Sequence, residues 1–507
     1  MDATRPADRD ADRPHVDRHV DRHVEVLIVG AGVSGIGAAC RLTRERPGTA
    51  YAILEQRAAL GGTWDLFRYP GVRSDTDMFT YSYPFLPWDG TQAMGDGADI
   101  RAYLQQAARE HDVERHIVFG TTALGASWSS ADARWTVRTD SDTDTWTCAF
   151  LLVCTGYYDY ARGHEPELPG REEFAGTVVH PQFWPADLQL RDRRVVVIGS
   201  GATAVTIVPA IAREAAHVTM LQRSPSYVLP LPAVDALADA LRARLPRRLA
   251  HRLVRVKNVL LTQGTYTFFR TFPATSRRLL RGMAVRLVGD EAYVDAHFTP
   301  RYDPWHQRLT IAPDGDMFTA IREGRAGVVT DTVDRLVPEG IRLASGTTLP
   351  ADVVVCATGL VLRPLGGLEL TVDGRAVSLP DTVAYRAVML SGVPNLAFSF
   401  GYTNTSWTLR SDLSARFVCR LLRHMDRHGQ AVATPAPATG LVRRPFIDDL
   451  EAGYIRRGIG AFPRKGGRAP WLVRQNYLVD RLAALPGDVT REMRFTPRAR
   501  DRVAARR

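Results

Sequence analysis

Two glycine-rich turns constrain this chain more than any other feature: GAGVSG at 30–35 and GSGATA at 199–204. Each closes a short apolar run (VEVLIVG, RRVVVIG) and opens an Ala-rich stretch with helical spacing. A second apolar run follows each, YAILE and HVTMLQR. Strand, tight turn, helix, strand is a β-α-β unit, whose strands are parallel and covered on both faces. Two such units predict an α/β protein with two doubly wound, Rossmann-like dinucleotide-binding domains.

The residues within each turn say what they bind. Gly30 allows the sharp turn, Gly32 lets backbone approach a pyrophosphate, and Gly35 lets helix pack closely on strand. Ser34 stands in the first helical turn, where the phosphates face the helix N-terminus. Glu55, 25 positions after Gly30, ends the next strand, where an acid accepts from ribose hydroxyls. The second turn carries Gly199, Ser200, Gly201, Ala202 and Thr203, with Ala204 in the third glycine position. Its second strand ends in Gln222, Arg223 and Ser224 rather than an acid. A carboxylate there repels a 2′-phosphate and an Arg with a hydroxyl receives one, so the second site is expected to take NADP and the first FAD.

Composition bounds the remaining choices. With 45% hydrophobic and 24% charged residues, the 507-residue chain reads as globular. Its net charge of +10 suits a phosphate-bearing ligand or an acidic membrane surface, and no nucleic-acid motif accompanies it. Five scattered cysteines without a C-x-x-C pair argue against a dithiol redox centre and for a reducing, cytoplasmic setting. The N-terminal DRHV repeat reads as a solvated tail, not a metal site, and no apolar run reaches the roughly 20 residues of a membrane span.

The expected organisation is a disordered extension at 1–23, a first FAD segment at 24–165, a linker at 166–190 and an NADP domain at 191–350. FAD-domain residues return at 351–490, with a Pro/Ala linker at 431–440 and a basic tail at 491–507. A helical insert is expected at about 235–290 in the NADP domain. Within it, residues 240–289 hold twelve Arg or Lys and no Asp or Glu. Such a segment is either a helical insert with a solvated basic face or a peripheral membrane contact.

After Glu55 comes GGTWDLFRYPGVRSDTDMFTYSY, in which Trp64, Phe67, Tyr69, Phe79, Tyr81 and Tyr83 interleave with Arg68, Arg73, Asp75 and Asp77. Aromatic and charged together suit a flavin pocket better than a satellite apolar cluster. Gly62, Thr63, Trp64, Arg73, Ser74, Asp75 and Tyr81 are its candidate cofactor contacts. Gly61, Gly62, Trp64, Tyr69, Pro70, Gly71 and Asp75 fit G-G-x-W-x-x-x-x-[FY]-P-G-x-x-x-D. Phe174, Gly176, His180, Trp184 and Pro185 fit F-x-G-x-x-x-H-x-x-x-W-[PD]. In both patterns the chain resembles the type I Baeyer–Villiger monooxygenases. GGTWDLFRYPG, YDPWHQRL and GYTNTSWTL look most like their ethionamide-activating branch.

The resemblance implies FAD, NADPH and O2, a C4a-peroxyflavin kept anionic by a fixed cation, and conversion of a ketone to an ester or lactone. It points to Arg308 as that cation and to Asp75 as its orienting partner. Arg stays protonated and donates directionally, which suits the role. Gln307 replaces a Lys that helps hold the 2′-phosphate in the family, leaving more of that load to Arg223. Arg73 and Ser74 are expected on the nicotinamide side, and Trp407 as a substrate or cofactor wall or a core residue. The second motif is expected to act as a linker that couples domain position to catalysis. Oxidation of a thioether or thioamide sulfur is a second activity of that branch. The competing reading is a flavin-containing monooxygenase that oxygenates nitrogen or sulfur and needs no such Arg.

Overall fold

The computed structural model describes residues 20–141, 144–437, 440–484 and 487–498. The first β-α-β unit forms as its glycines predict. Strand Val20–Val29 leads into helix Val33–Glu45 and returns as Tyr51–Glu55, parallel, with Val26 opposite Tyr51. All five residues of Tyr51–Glu55 are buried, as a doubly covered strand requires. Strand Asp144–Val153 flanks Val20–Val29 on its other side, also parallel. It is long enough to serve two further neighbours. Its Thr145–Cys148 stretch pairs antiparallel with Arg134–Thr139, and Leu151–Val153 pairs parallel with Leu396–Phe398.

The second sheet is wholly parallel. Its order is Ala326–Thr330, His217–Gln222, Arg194–Ile198, Val353–Cys356, Thr177–Val179. Helix Ala202–Ile211 packs into its core through Ala204, Val205, Ile207 and Val208.

Four boundaries differ from the sequence expectation. The first strand begins at Val20 rather than Val24, because the long partner Asp144–Val153 continues the ladder back to Val20; residues 1–19 of the expected extension lie outside the described residues. Strand Val353–Cys356, expected to open the return to the first domain, is buried between Arg194–Ile198 and Thr177–Val179 in the second sheet. Thr177–Val179 itself lies inside the expected linker. The crossing between domains is instead an antiparallel pair, Tyr158–Gly163 with Leu360–Leu362. Finally, Met493–Pro497 pairs with Gln430–Pro435, so a two-stranded ribbon stands where a Pro/Ala linker and a tail were expected.

The insert is helical as expected: Ala236–Arg244, Arg247–Thr271, Pro273–Val288 and Glu291–His297. The long helix Arg247–Thr271 is fastened to the first domain by polar contacts as well as apolar ones. Buried Arg255 donates from Nη1 to the carbonyls of Phe79, Thr80 and Ser82 at 3.0, 3.0 and 2.7 Å. Asn258 Nδ2 donates to Asp77 Oδ1 at 2.9 Å, and that carboxylate also caps helix Met78–Tyr81 through Thr80 N–H. Arg255→Leu leaves three carbonyls without this donor, and a loss of about 3 kcal/mol is expected from their desolvation. A lowered urea midpoint checks it; an unchanged midpoint means the contact stabilises nothing.

Candidate active site

A cleft of about 870 Å³ runs along the carboxyl ends of the parallel strands of both sheets, where doubly wound folds bind ligands. That volume is near the top of the range for one small-ligand pocket and suits extended cofactors.

At the first turn, Gly30 has φ +101°, and a Cβ there would stand 2.8 Å from the Cys154 carbonyl oxygen. A Cβ on Gly62 would stand 3.0 Å from Gly32 Cα, so the two glycines face each other across a slot. Gly30, Gly32, Ser34, Gly62 and Thr63 line the cleft, while Gly35 lies behind it, packed against the Gly30 carbonyl. Glu55 also lines the cleft. Its Oε2 accepts from Ala31 N–H at 2.7 Å and its Oε1 from Arg57 N–H at 2.9 Å. Burial raises its pKa, and those two N–H groups pull it back only in part. The remaining lone pairs are placed to accept from hydroxyls. A backbone-walled slot with a held acid at the strand end fits the adenosine diphosphate of FAD.

The second turn repeats the arrangement. Gly199 has φ +133°, and a Cβ there would stand 2.3 Å from the Ala357 carbonyl oxygen. Gly199, Ser200, Gly201, Ala202 and Thr203 line the cleft, and Ala204 is fully buried behind them. Arg223 and Ser224 are exposed at the cleft edge, and Arg223 makes no ion pair among the described residues. A free guanidinium beside a hydroxyl fits the 2′-phosphate of NADP.

Between the turns, two ion pairs join the domains. Arg308 Nη2 lies 2.7 Å from Asp75 Oδ2, and Arg73 Nη1 lies 2.7 Å from Asp316 Oδ2. Burial alone would depress the Arg308 pKa. The Asp75 carboxylate, with Tyr454, Tyr157 and Tyr158, more than offsets that and holds it above the ordinary guanidinium range. Arg308 therefore stays a cation throughout the working pH range. Arg73 Nη2 is buried without a partner, a donor left for a ligand. Ser74 lines the cleft, its hydroxyl donating to the Thr76 carbonyl.

The aromatics divide. Trp64, Phe67, Tyr69 and Tyr81 line the cleft, with Trp64 Nε1 donating to the Tyr81 hydroxyl at 2.6 Å. Phe79 and Tyr83 are core residues instead. Tyr69 faces the second domain, where burial pushes its pKa up to about 12 against the opposing hydrogen bond of Thr203. A Cβ on Gly71 would reach Thr206 and Ala210 of the second-domain helix, so the Tyr-Pro-Gly turn is an interdomain joint. Trp407 is a cleft wall: its indole N–H donates to Ser34 Oγ at 2.9 Å and its ring stacks on Tyr157.

Sequence reasoning missed Tyr157, Tyr158, Tyr160 and Tyr454. The first three form the run YYDY straight after the Cys154–Gly156 turn, a signal that strand position supplies; Tyr454 in AGYIRRG has none.

Phe174, Gly176, His180, Trp184 and Pro185 do not line the cleft. Phe174 packs into the second domain, and a Cβ on Gly176 would meet the Asp352 carbonyl and the Phe174 ring. His180 Nδ1 accepts from Gln182 N–H at 3.2 Å, which leaves the proton on Nε2, 3.3 Å from the Gly359 carbonyl. Its ring lies over Gly163, where a Cβ would come within 2.0 Å of it. Burial lowers its pKa, and the Gly359 hydrogen bond restores only part, so it sits neutral. His180 thus pins both crossing strands, Tyr158–Gly163 and Leu360–Leu362, at their ends.

The fold and cleft define a two-dinucleotide oxidoreductase, with an interdomain cation lining the cleft that both glycine turns share. Residues 23–235 match the family model described as flavin-binding monooxygenase-like. The FAD-containing monooxygenase EthA of Mycolicibacterium smegmatis is 47% identical over 460 residues, 90% of this chain and 93% of that one. Among solved structures, OTEMO in complex with FAD and NADP overlays with a TM-score of 0.73 at 19% identity, covering 93% and 99% of the two chains. An open crystal structure of cyclohexanone monooxygenase gives 0.72 at 20% identity, covering 94% and 100%. These two likenesses are of fold. The chain belongs to the flavin-binding monooxygenase family, among the FAD-containing monooxygenases of the EthA group, in keeping with the resemblance its two motifs carry.

Because His180 fixes domain position and stays outside the cleft, His180→Ala is expected to lower kcat roughly tenfold to a hundredfold. The ratio of flavin to protein absorbance should stay unchanged. Loss of flavin on purification would instead place His180 in cofactor binding.

Proposed function

We propose that this protein is a Baeyer–Villiger monooxygenase. A ketone, O2, NADPH and a proton become an ester or lactone, water and NADP+. FAD is held at the Gly30 turn and NADPH at the Gly199 turn. The bound flavin, once reduced, supplies the activation of O2 and the oxygen transfer. The observation that carries the reading is Arg308, a cation oriented by Asp75 and aimed into the cleft between the two turns.

Addition of a nucleophilic oxygen to a ketone places negative charge on the carbonyl oxygen, and a pre-oriented guanidinium stabilises charge where it develops. Asp75 keeps the guanidinium from turning away, and Tyr454, Tyr157 and Tyr158 stand near enough to act on its charge. Arg73 holds the neighbouring part of the same loop through Asp316, and its unpartnered Nη2 is a donor for the nicotinamide end of NADPH on this reading. Trp407 and Tyr157 form a flat stacked wall beside them. An oxygenation of sulfur by a protonated oxidant needs none of this charge. Incubation with NADPH, a phenyl or long-chain methyl ketone and a thioether separates the two reactions by product. Ester is expected; sulfoxide without any ester would sink the reading.

Arg308→Ala is expected to keep oxidising NADPH while forming no ester, seen as cofactor consumption uncoupled from product. Normal ester formation would show the cation misassigned. Arg223→Ala is expected to raise KM for NADPH at least tenfold, as loss of a charged phosphate hydrogen bond implies, and to leave NADH nearly unaffected. Equal effects on both would remove Arg223 from 2′-phosphate recognition.

A further inference from the structure

The insert carries a feature that the cleft does not use. Eleven of the seventeen exposed large hydrophobics among the described residues fall between Leu231 and Leu279. Six lie on the long helix Arg247–Thr271, and four of these recur at spacings of four, three and four: Leu249, Leu253, Val256 and Leu260, 44–53% exposed. That spacing makes one continuous stripe along a helix. It lies opposite the buried stripe of His251, Val254, Arg255 and Asn258 that grips the first domain. The helix therefore grips the first domain through a largely polar buried face, while the opposite, apolar face is bare.

The charges around the bare stripe are of one sign. Residues 240–289 hold twelve Arg or Lys and no acid. Arg247 and Lys257 are neutralised by Asp89 and Asp235 from outside the segment. Arg248, Arg252, Arg270 and Arg278 are exposed and make no ion pair among the described residues. Arg248 and Arg252 flank Leu249 and Leu253 one position away, about 100° around the helix. An apolar stripe edged by free arginines matches a helix lying in the plane of an acidic lipid surface, with its leucines below the headgroups and its cations among the phosphates. A second copy seated on the same face would bring two such cation clusters together without counter-charge. Among the described residues no helix is long and apolar enough to cross a membrane, so any lipid contact made through this helix lies along the surface.

We propose that the outer face of helix Arg247–Thr271 docks on anionic phospholipid bilayers. The FAD-loaded full-length protein is tested by flotation with vesicles of phosphatidylcholine alone and of phosphatidylcholine with phosphatidylglycerol. At least tenfold tighter binding to the anionic vesicles is expected, weakening as salt rises. The double change Leu253→Asp with Leu260→Asp should reduce binding at least tenfold. Arg248→Ser with Arg252→Ser should reduce the preference for phosphatidylglycerol. Both doubly substituted proteins should oxidise NADPH in solution like the parent, since neither pair touches the cleft. Equal binding to both vesicle types, or to neither, overturns the proposal. So does a lipid-free dimer, seen by sedimentation, that the Leu253→Asp and Leu260→Asp pair abolishes, because the stripe then belongs to a second copy.

Discussion

The cleft depends on two ion pairs, Arg308 with Asp75 and Arg73 with Asp316, because they cross the boundary between independently cored domains. Asp75 and Arg73 sit two residues apart on a loop of the first domain; their partners belong to the second. Arg308 and Asp75 keep 29% and 32% of their side chains exposed, so the pair contributes only about 1 kcal/mol to stability. Its consequence is geometric. With alternating charge, the two pairs admit one register of loop against second domain, and that register sets a cation in the line between the two glycine turns.

Two further interdomain contacts support the same register by filling space. The Tyr-Pro-Gly turn lies against the second-domain helix at a point where Gly71 leaves no room for a side chain. His180 fills the space over Gly163 and donates to the Gly359 carbonyl, so both crossing strands end on one imidazole. A neutral ring suits this place, since a buried imidazolium would need a counter-charge there. The two motifs most specific to the family thus act at the same joint from opposite sides, and neither is confined to the reacting centre.

This explains what was legible in the sequence. Gly30 and Gly199 announce themselves because a Cβ there would collide with a carbonyl oxygen, Gly32 and Gly201 by their place in the pattern, and strand-helix-strand order supplies the context. Arg308 was legible through resemblance, not through any local pattern, since a lone Arg in WHQRL has no periodicity to interpret. The misplaced boundary at Val353–Cys356 has a physical cause. A fully buried VVVC run reads alike in either parallel sheet, and only pairing with Arg194–Ile198 decides between them. Phe79 and Tyr83 were overread for a related reason: composition reports how many aromatic groups a loop carries, not which way each faces. Tyr454 approaches Arg308 from nearly 150 residues further along the chain, a separation that no local pattern spans.

The insert follows from the same constraint. Two residues after Asp75 comes Asp77, whose carboxylate caps helix Met78–Tyr81 and accepts from Asn258, and then the three carbonyls that Arg255 holds. The loop that orients Arg308 is therefore fixed at one end by the second domain and at the other by the insert helix. A helix used only as such a brace would need only the face that grips the first domain. The exposed leucines of Arg247–Thr271 lie on the other, where packing against the first domain gains nothing and water contact costs about 25 cal/mol for each Å² left bare. An apolar stripe kept in water beside unpaired arginines is better explained by a surface it meets than by the fold that carries it.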